Sequence, residues 1–247
     1  MARRFLSFLL VLALAGASTV ADALPVSILE VERAGETDAS AAAGEFSDFE
    51  SIRHFEDGLG GLFWNEVVRI GMTGGAAVEA APGYRGFVNS DEIQATAVAR
   101  VEANAVSGGA FALGSAEVRQ RIVFEATRDA ILRLSGIVFA RQEGVSGDAV
   151  SILEITSRGG VGDPSPLLIQ RRAEPGEDET FDLDFSVRSG MTYQILSIAR
   201  ASADALDLER SFFYSGFVVE VTEVPEPGTA TLLLLGAIAL GVRRARA

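Results

Sequence analysis

Hydrophobic and polar residues alternate through most of the middle of this 247-residue chain. The alternation is sharpest at residues 94–106 (QATAVARVEANAV). There Ala97, Ala99, Val101, Ala103 and Ala105 fall on one side, and Val98, Arg100, Glu102 and Asn104 on the other. A period of two marks a half-buried strand, here with a face of small residues. Residues 116–126 repeat the pattern with larger side chains: Ala116, Val118, Ile122, Phe124 and Ala126 share one face, and Glu117, Arg119, Arg121 and Glu125 the other. Thr127, Arg128 and Asp129 turn the chain into 130–140 (AILRLSGIVFA), so these two strands read as a hairpin. Further strands are expected at 24–33, 63–70, 149–156, 167–172, 179–187, 192–199 and 212–222, separated by clusters of Gly, Asp, Pro and Ser. Residues 35–44 and 71–86, dominated by Ala, Gly and small polar residues, read as loops, and 46–61 fits neither period cleanly. Many short strands without amphipathic helices between them predict an all-β, antiparallel β-sandwich of the jelly-roll or lectin-like kind.

The two ends break the pattern. Arg3 and Arg4 precede an apolar run from Phe5 to Ala17, and Ala21-Asp22-Ala23 offers an A-x-A cleavage site before Leu24. That order predicts a secretory signal peptide over residues 1–23 with an apolar helix inside it; a cut after Ala17 is the alternative. At the other end, residues 224–247 read VPEPGTATLLLLGAIALGVRRARA. Pro225 and Pro227 fix φ and remove two backbone donors, which holds Pro225-Glu226-Pro227 extended and delays any helix until Gly228. Residues 229–242 are apolar, small or threonine, and a helix of that length covers about 21 Å of a hydrocarbon core of about 30 Å. Snorkelling by Arg243 and Arg244 lengthens this short transmembrane span. With Arg246 these arginines place the C-terminus in the cytoplasm and the Pro-Glu-Pro segment on the outer side. The chain thus divides into a signal peptide (1–23), an exported domain (24–223) and a tail (224–247).

In its three-part order the tail resembles the PEP-CTERM sorting signal of Gram-negative bacteria that make exopolysaccharide. In that family a membrane-embedded cysteine protease, the exosortase, is thought to recognise the Pro-Glu-Pro motif and remove the anchor. The resemblance implies that Pro225, Glu226 and Pro227 form the recognition element. It implies that residues 229–242 form a transient span and that Arg243, Arg244 and Arg246 are its stop-transfer cap. The implied partners are an exosortase at the inner membrane, the membrane itself before processing, and exopolysaccharide outside. The implied destination is the cell envelope, outer surface or extracellular matrix, as in a biofilm.

Charge and composition narrow the chemistry. The net charge is −13; without both terminal segments 16 arginines face 32 carboxylates, a balance near −16. A field of that sign disfavours nucleic acid as a partner, because phosphate binding needs positive charge. Cysteine is absent, so stability must come from apolar burial and not from disulfides. His54 is the sole histidine, with no second imidazole or thiol to build a zinc site and no G-x-S-x-G elbow to serve. Carboxylates are plentiful enough for the pair that a secreted glycoside hydrolase needs, yet no spacing singles one out. Asp182 and Asp184 project together from one face of a strand whose other face carries Phe181, Leu183 and Phe185. With Glu177, Asp178 and Glu179 they are either ligands for a calcium ion or a solvated acidic face. Trp64, with Tyr84, Tyr193 and Tyr214, is either core or a sugar-stacking surface. No cofactor and no catalytic residue is expected, and the domain reads as a non-enzymatic surface or matrix protein, or as a carbohydrate-binding module.

Overall fold

The computed structural model describes residues 24–72, 75–144, 146–158 and 167–224. These form thirteen strands: β1 (Val26–Ala43), β2 (Phe46–Asp57), β3 (Gly60–Asn65), β4 (Val68–Met72), β5 (Ala76–Val88), β6 (Ile93–Ala105), β7 (Ala110–Ala126), β8 (Ala130–Glu143), β9 (Gly147–Arg158), β10 (Leu167–Ala173), β11 (Asp178–Val187), β12 (Thr192–Leu206) and β13 (Arg210–Glu223). They make two antiparallel sheets, one in the order β10-β9-β12-β7-β1-β2, the other β11-β8-β13-β6-β5-β3 with β4 also on β5. One core lies between them, so the described residues form a β-sandwich. They include no helix long and apolar enough to cross a membrane.

The alternation read from the sequence is the alternation of the sheets. Ala97, Ala99, Val101, Ala103 and Ala105 of β6 are all buried, as are Ala116, Val118, Ile122, Phe124 and Ala126 of β7. Three expectations are corrected. Residues 35–44 are not a loop but, as far as Ala43, the second half of β1, paired with β2 and β7 and burying Ala39 and Ala41. Residues 71–86 are mostly β5, which buries Ala76, Val78, Ala80 and Tyr84. The third correction concerns β7 and β8, which are not a hairpin: they lie in different sheets, and the 127–129 turn carries the chain across the sandwich. Alternation alone cannot tell a turn within one sheet from a turn between two, because both faces of the core are apolar.

Proline explains a break in the second sheet. Pro82 lies within β5, opposite the junction of β3 and β4; it has no N–H to give, and its carbonyl accepts a hydrogen bond from the Glu66 N–H at 3.2 Å. The neighbour of β5 is therefore split into two short strands. On the outer faces, arginines are matched to carboxylates across neighbouring strands: Arg121 to Glu30 and Glu32, Arg200 to Glu117, Arg53 to Glu36 and Arg69 to Glu79, all within 3.0 Å.

Candidate functional site

The densest polar cluster of the interior lies at one lateral side of the sandwich, where β2 leaves the first sheet and β3 enters the second. Arg33 on β1, Tyr84 on β5 and Gln120 on β7 are each no more than 2% exposed. The Tyr84 hydroxyl accepts from Arg33 Nε at 3.2 Å and from Gln120 Nε2 at 2.8 Å. Arg33 also donates to the carbonyls of Gly58 at 2.9 Å and Gly60 at 3.4 Å, and its guanidinium lies 5.4 Å from the centre of the Tyr84 ring. A buried cation needs its donors satisfied, and here neutral oxygens satisfy them without a carboxylate. Burial pushes the Tyr84 phenol above its ordinary range, and the adjacent Arg33 pulls in the opposite direction. Gly58 and Gly60 hold φ of 128° and 105°, so the crossover depends on glycine and is clamped by Arg33.

Aromatic rings extend the cluster toward the surface. Trp64 stacks on Tyr84 with centroids 6.3 Å apart, and His54 lies 5.0 Å from Trp64. His54 Nδ1 is 3.1 Å from Glu66 Oε1, and its Nε2 is 3.5 Å from Glu56 Oε2. A methyl group at Gly35 would overlap the six-membered ring of Trp64, so the indole sits directly on the β1 backbone. His54 Nε2, Trp64 Nε1 and Glu66 Oε2 are buried without a hydrogen-bond partner. The arrangement ties the two sheets together with one histidine between two carboxylates. Beside it is an open hollow lined by Leu29, Glu30, Asp57 and Leu59.

The structure resolves the choice for Trp64: at 6% exposure it is core, and no ring face is open for a sugar. Tyr84 and Tyr193 are buried with it. The exposed aromatics are phenylalanines instead: Phe49 and Phe55 on β2, Phe63 on β3 and Phe87 on β5. Asp182 and Asp184 do project outward from β11, but Arg133 lies 3.3 Å and 2.9 Å from them and holds the Asp184 carboxyl below the usual carboxylate range. Asp178 pairs with Arg141, Glu179 with Arg171, and Glu177 accepts from the Glu174 N–H. Among the described residues no three His, Asp or Glu side chains are grouped to hold a metal ion. Ala21 and Ala23, the sorting motif Pro225, Glu226 and Pro227, and Arg243, Arg244 and Arg246 lie outside the described residues.

Sequence reasoning missed the meeting of Arg33 and Gln120 at Tyr84, although a signal was present. Arg33 follows Val31, and Gln120 falls between Val118 and Ile122, so both occupy inward positions of otherwise apolar runs. A polar residue at an inward position requires an internal partner.

No protein family and no curated protein matches this chain. Among solved structures it has a faint likeness to infectious bursal disease virus Gt strain, at 11% identity and a TM-score of 0.19 over 83% of this chain and 66% of that one. The D431N mutant VP2 protein of the same virus, in derived T=1 particles, gives 10% identity and a TM-score of 0.19 over 87% and 67%. The Gx strain gives 7% and 0.18 over 81% and 77%. Scores of that size carry no argument about function.

Proposed function

We propose that this chain is an exported cell-surface or extracellular-matrix protein without enzymatic activity, sorted by an exosortase through its Pro-Glu-Pro tail. The observation that carries the reading is the order of residues 224–247: a rigid, donor-poor Pro225-Glu226-Pro227 segment, a short apolar span, and a cap of Arg243, Arg244 and Arg246. The A-x-A site at Ala21 and Ala23 supports export. The cargo between them is a cysteine-free sandwich of the jelly-roll or lectin-like kind, whose job is to persist outside the cell. In the unprocessed protein a signal helix and a short transmembrane helix flank it. Substituting Pro225→Ala and Pro227→Ala together tests the sorting role. The doubly substituted chain should accumulate uncut in the inner membrane, as should the unaltered chain in a host lacking its exosortase. Normal processing of both would overturn the proposal.

A carbohydrate-binding role is the second reading, and one observation favours it. Phe63, 73% exposed, and Phe87, 49% exposed, lie on adjoining strands of the second sheet. Two exposed rings offer apolar faces to pyranose units. Pull-down on the host's matrix polysaccharide should then lose the protein on Phe63→Ala plus Phe87→Ala; retention equal to the unaltered chain would remove this reading.

A further inference from the structure

The first sheet ends laterally in β2, a twelve-residue edge strand paired only with β1. It is exposed along nearly its whole length, and Phe49 and Phe55 on its outward face are each 65% exposed. A long edge strand with large apolar side chains is a template for another strand unless something blocks it. The geometry points to a second copy of this chain as the occupant, joined antiparallel, β2 to β2, about a two-fold axis through Ile52.

Backbone register fixes which groups face the free edge. The hairpin from β1 to β2 closes on Ala43 opposite Phe46 with two residues between them. In such a hairpin the closing pair exchanges both hydrogen bonds, so the even-numbered residues of β2 bond to β1 and the odd-numbered ones face outward. The Phe49 N–H agrees: it is taken by its neighbour's Asp48 Oδ1 at 2.9 Å and not by β1. A two-fold antiparallel pairing must therefore bond odd residues to odd residues. Centred on Ile52, it sets Phe49 opposite Phe55 of the second copy and the reverse, Ser51 opposite Arg53, and Ile52 opposite itself. Moving the axis to Ser51 sets Phe49 against Arg53 and Phe55 against Ser47; moving it to Arg53 stacks two arginines. Axes on Phe49 or Phe55 set a ring against its own copy but leave Ile52 without an aliphatic partner and shorten the paired stretch, so the Ile52 axis alone matches ring with ring and aliphatic with aliphatic along the strand. Two six-stranded sheets would become one continuous sheet.

The same register shows what restrains the contact. Asp48 falls opposite Glu56 of the second copy, and Asp48 also occupies the Phe49 N–H that the pairing needs. One acidic residue thus blocks the edge twice, by repulsion and by capping, and this makes the association conditional on charge.

The chain has no cysteine, so a single introduced thiol reports the contact. In the full-length protein, Ile52→Cys should oxidise to a covalent dimer about tenfold faster than Leu168→Cys on β10, the opposite edge of the same sheet, because the axis holds the two thiols together. Adding Ser51→Pro, which removes an outward N–H at an exposed position, should bring Ile52→Cys down to the control rate. Asp48→Ala should raise its rate, as should added salt. Equal rates for the Ile52→Cys and Leu168→Cys chains, or indifference of the former to both Ser51→Pro and Asp48→Ala, would overturn the two-fold edge contact. Because the readout does not involve the tail, its failure would leave the sorting proposal standing.

Discussion

The two ends of the core are built differently. Near the β1–β2 and β12–β13 turns, the first sheet presents Ala39, Ala41, Ala112, Ala116, Ala201, Ala203 and Ala205, and the second answers with Val78, Val101 and Phe213. There the sheets interlock by size: a methyl group built on Gly114 would meet Val101 and Val78 of the opposite sheet at 2.7 and 2.8 Å. At the other end both sheets contribute large side chains: Ile122, Phe124, Tyr193 and Ile195 from the first, and Leu132, Leu134, Phe181 and Val221 from the second. The first end is stabilised by close approach of backbones and the second by volume. A residue's size can therefore be right at one end and wrong at the other.

The difference can be broken from either side. The largest loss is expected for Phe124→Ala, which removes a fully buried ring stacked 5.5 Å from Tyr193 and leaves a cavity between large neighbours. Denaturant unfolding should show a loss of about 3–5 kcal/mol, and a loss below about 1 would mean that this end collapses freely. Ala201→Leu at the thin end should also destabilise, by about 1–3 kcal/mol, through overpacking; a neutral result would show unfilled space between the sheets.

Between the two ends sits the Arg33, Tyr84 and Gln120 cluster. Tyr84→Phe strips the acceptor from two buried donors and should cost about 1–3 kcal/mol. The same residue governs alkaline behaviour. Burial raises the folded phenol above the ordinary tyrosine value of 10.0, so the unfolded chain releases this proton first. Stability from Tyr84 is thus complete below that value and declines as pH rises past it, and Tyr84→Phe should flatten that decline.

Smaller effects lie at the surface. Leu208, 72% exposed in the β12–β13 turn, holds φ at 75°, and Leu208→Gly should raise stability by up to about 1 kcal/mol by relieving strain. On the first sheet's outer face, the hydrogen bond from Arg121 holds Glu32 below the ordinary glutamate range. Its contribution is present at neutral pH and is lost as acid carries the pH below that range through the lower folded value. Arg121→Met should shrink the acid-side loss, visible as a shallower decline of melting temperature.

The same contrast explains what could be read from the sequence. Strands of the thick end announce themselves, because Val, Ile, Leu and Phe stand out against Glu and Arg, as in β7 and β11. Strands of the thin end do not. In the second half of β1, inward Thr37, Ala39, Ala41 and Ala43 alternate with outward Asp38, Ser40 and Ala42, so the period of two carries little hydrophobic contrast. Pro82 and the glycines at 83 and 86 disguise β5 further, since such residues ordinarily mark turns. The polar cluster was legible only by parity, with Arg33 and Gln120 at inward positions; their meeting at Tyr84 depends on sheet order, which local pattern does not encode. Trp64 had two readings in the sequence, and its burial, packed on Gly35, decides between them.

The proposal that the chain is an exported and tail-processed cargo is tested most directly by intact-mass analysis of the mature protein from its native envelope or matrix fraction. The expected mature chain begins after Ala23 and has lost the apolar span and its arginines. A mature form that still ends at Ala247 would refute tail processing.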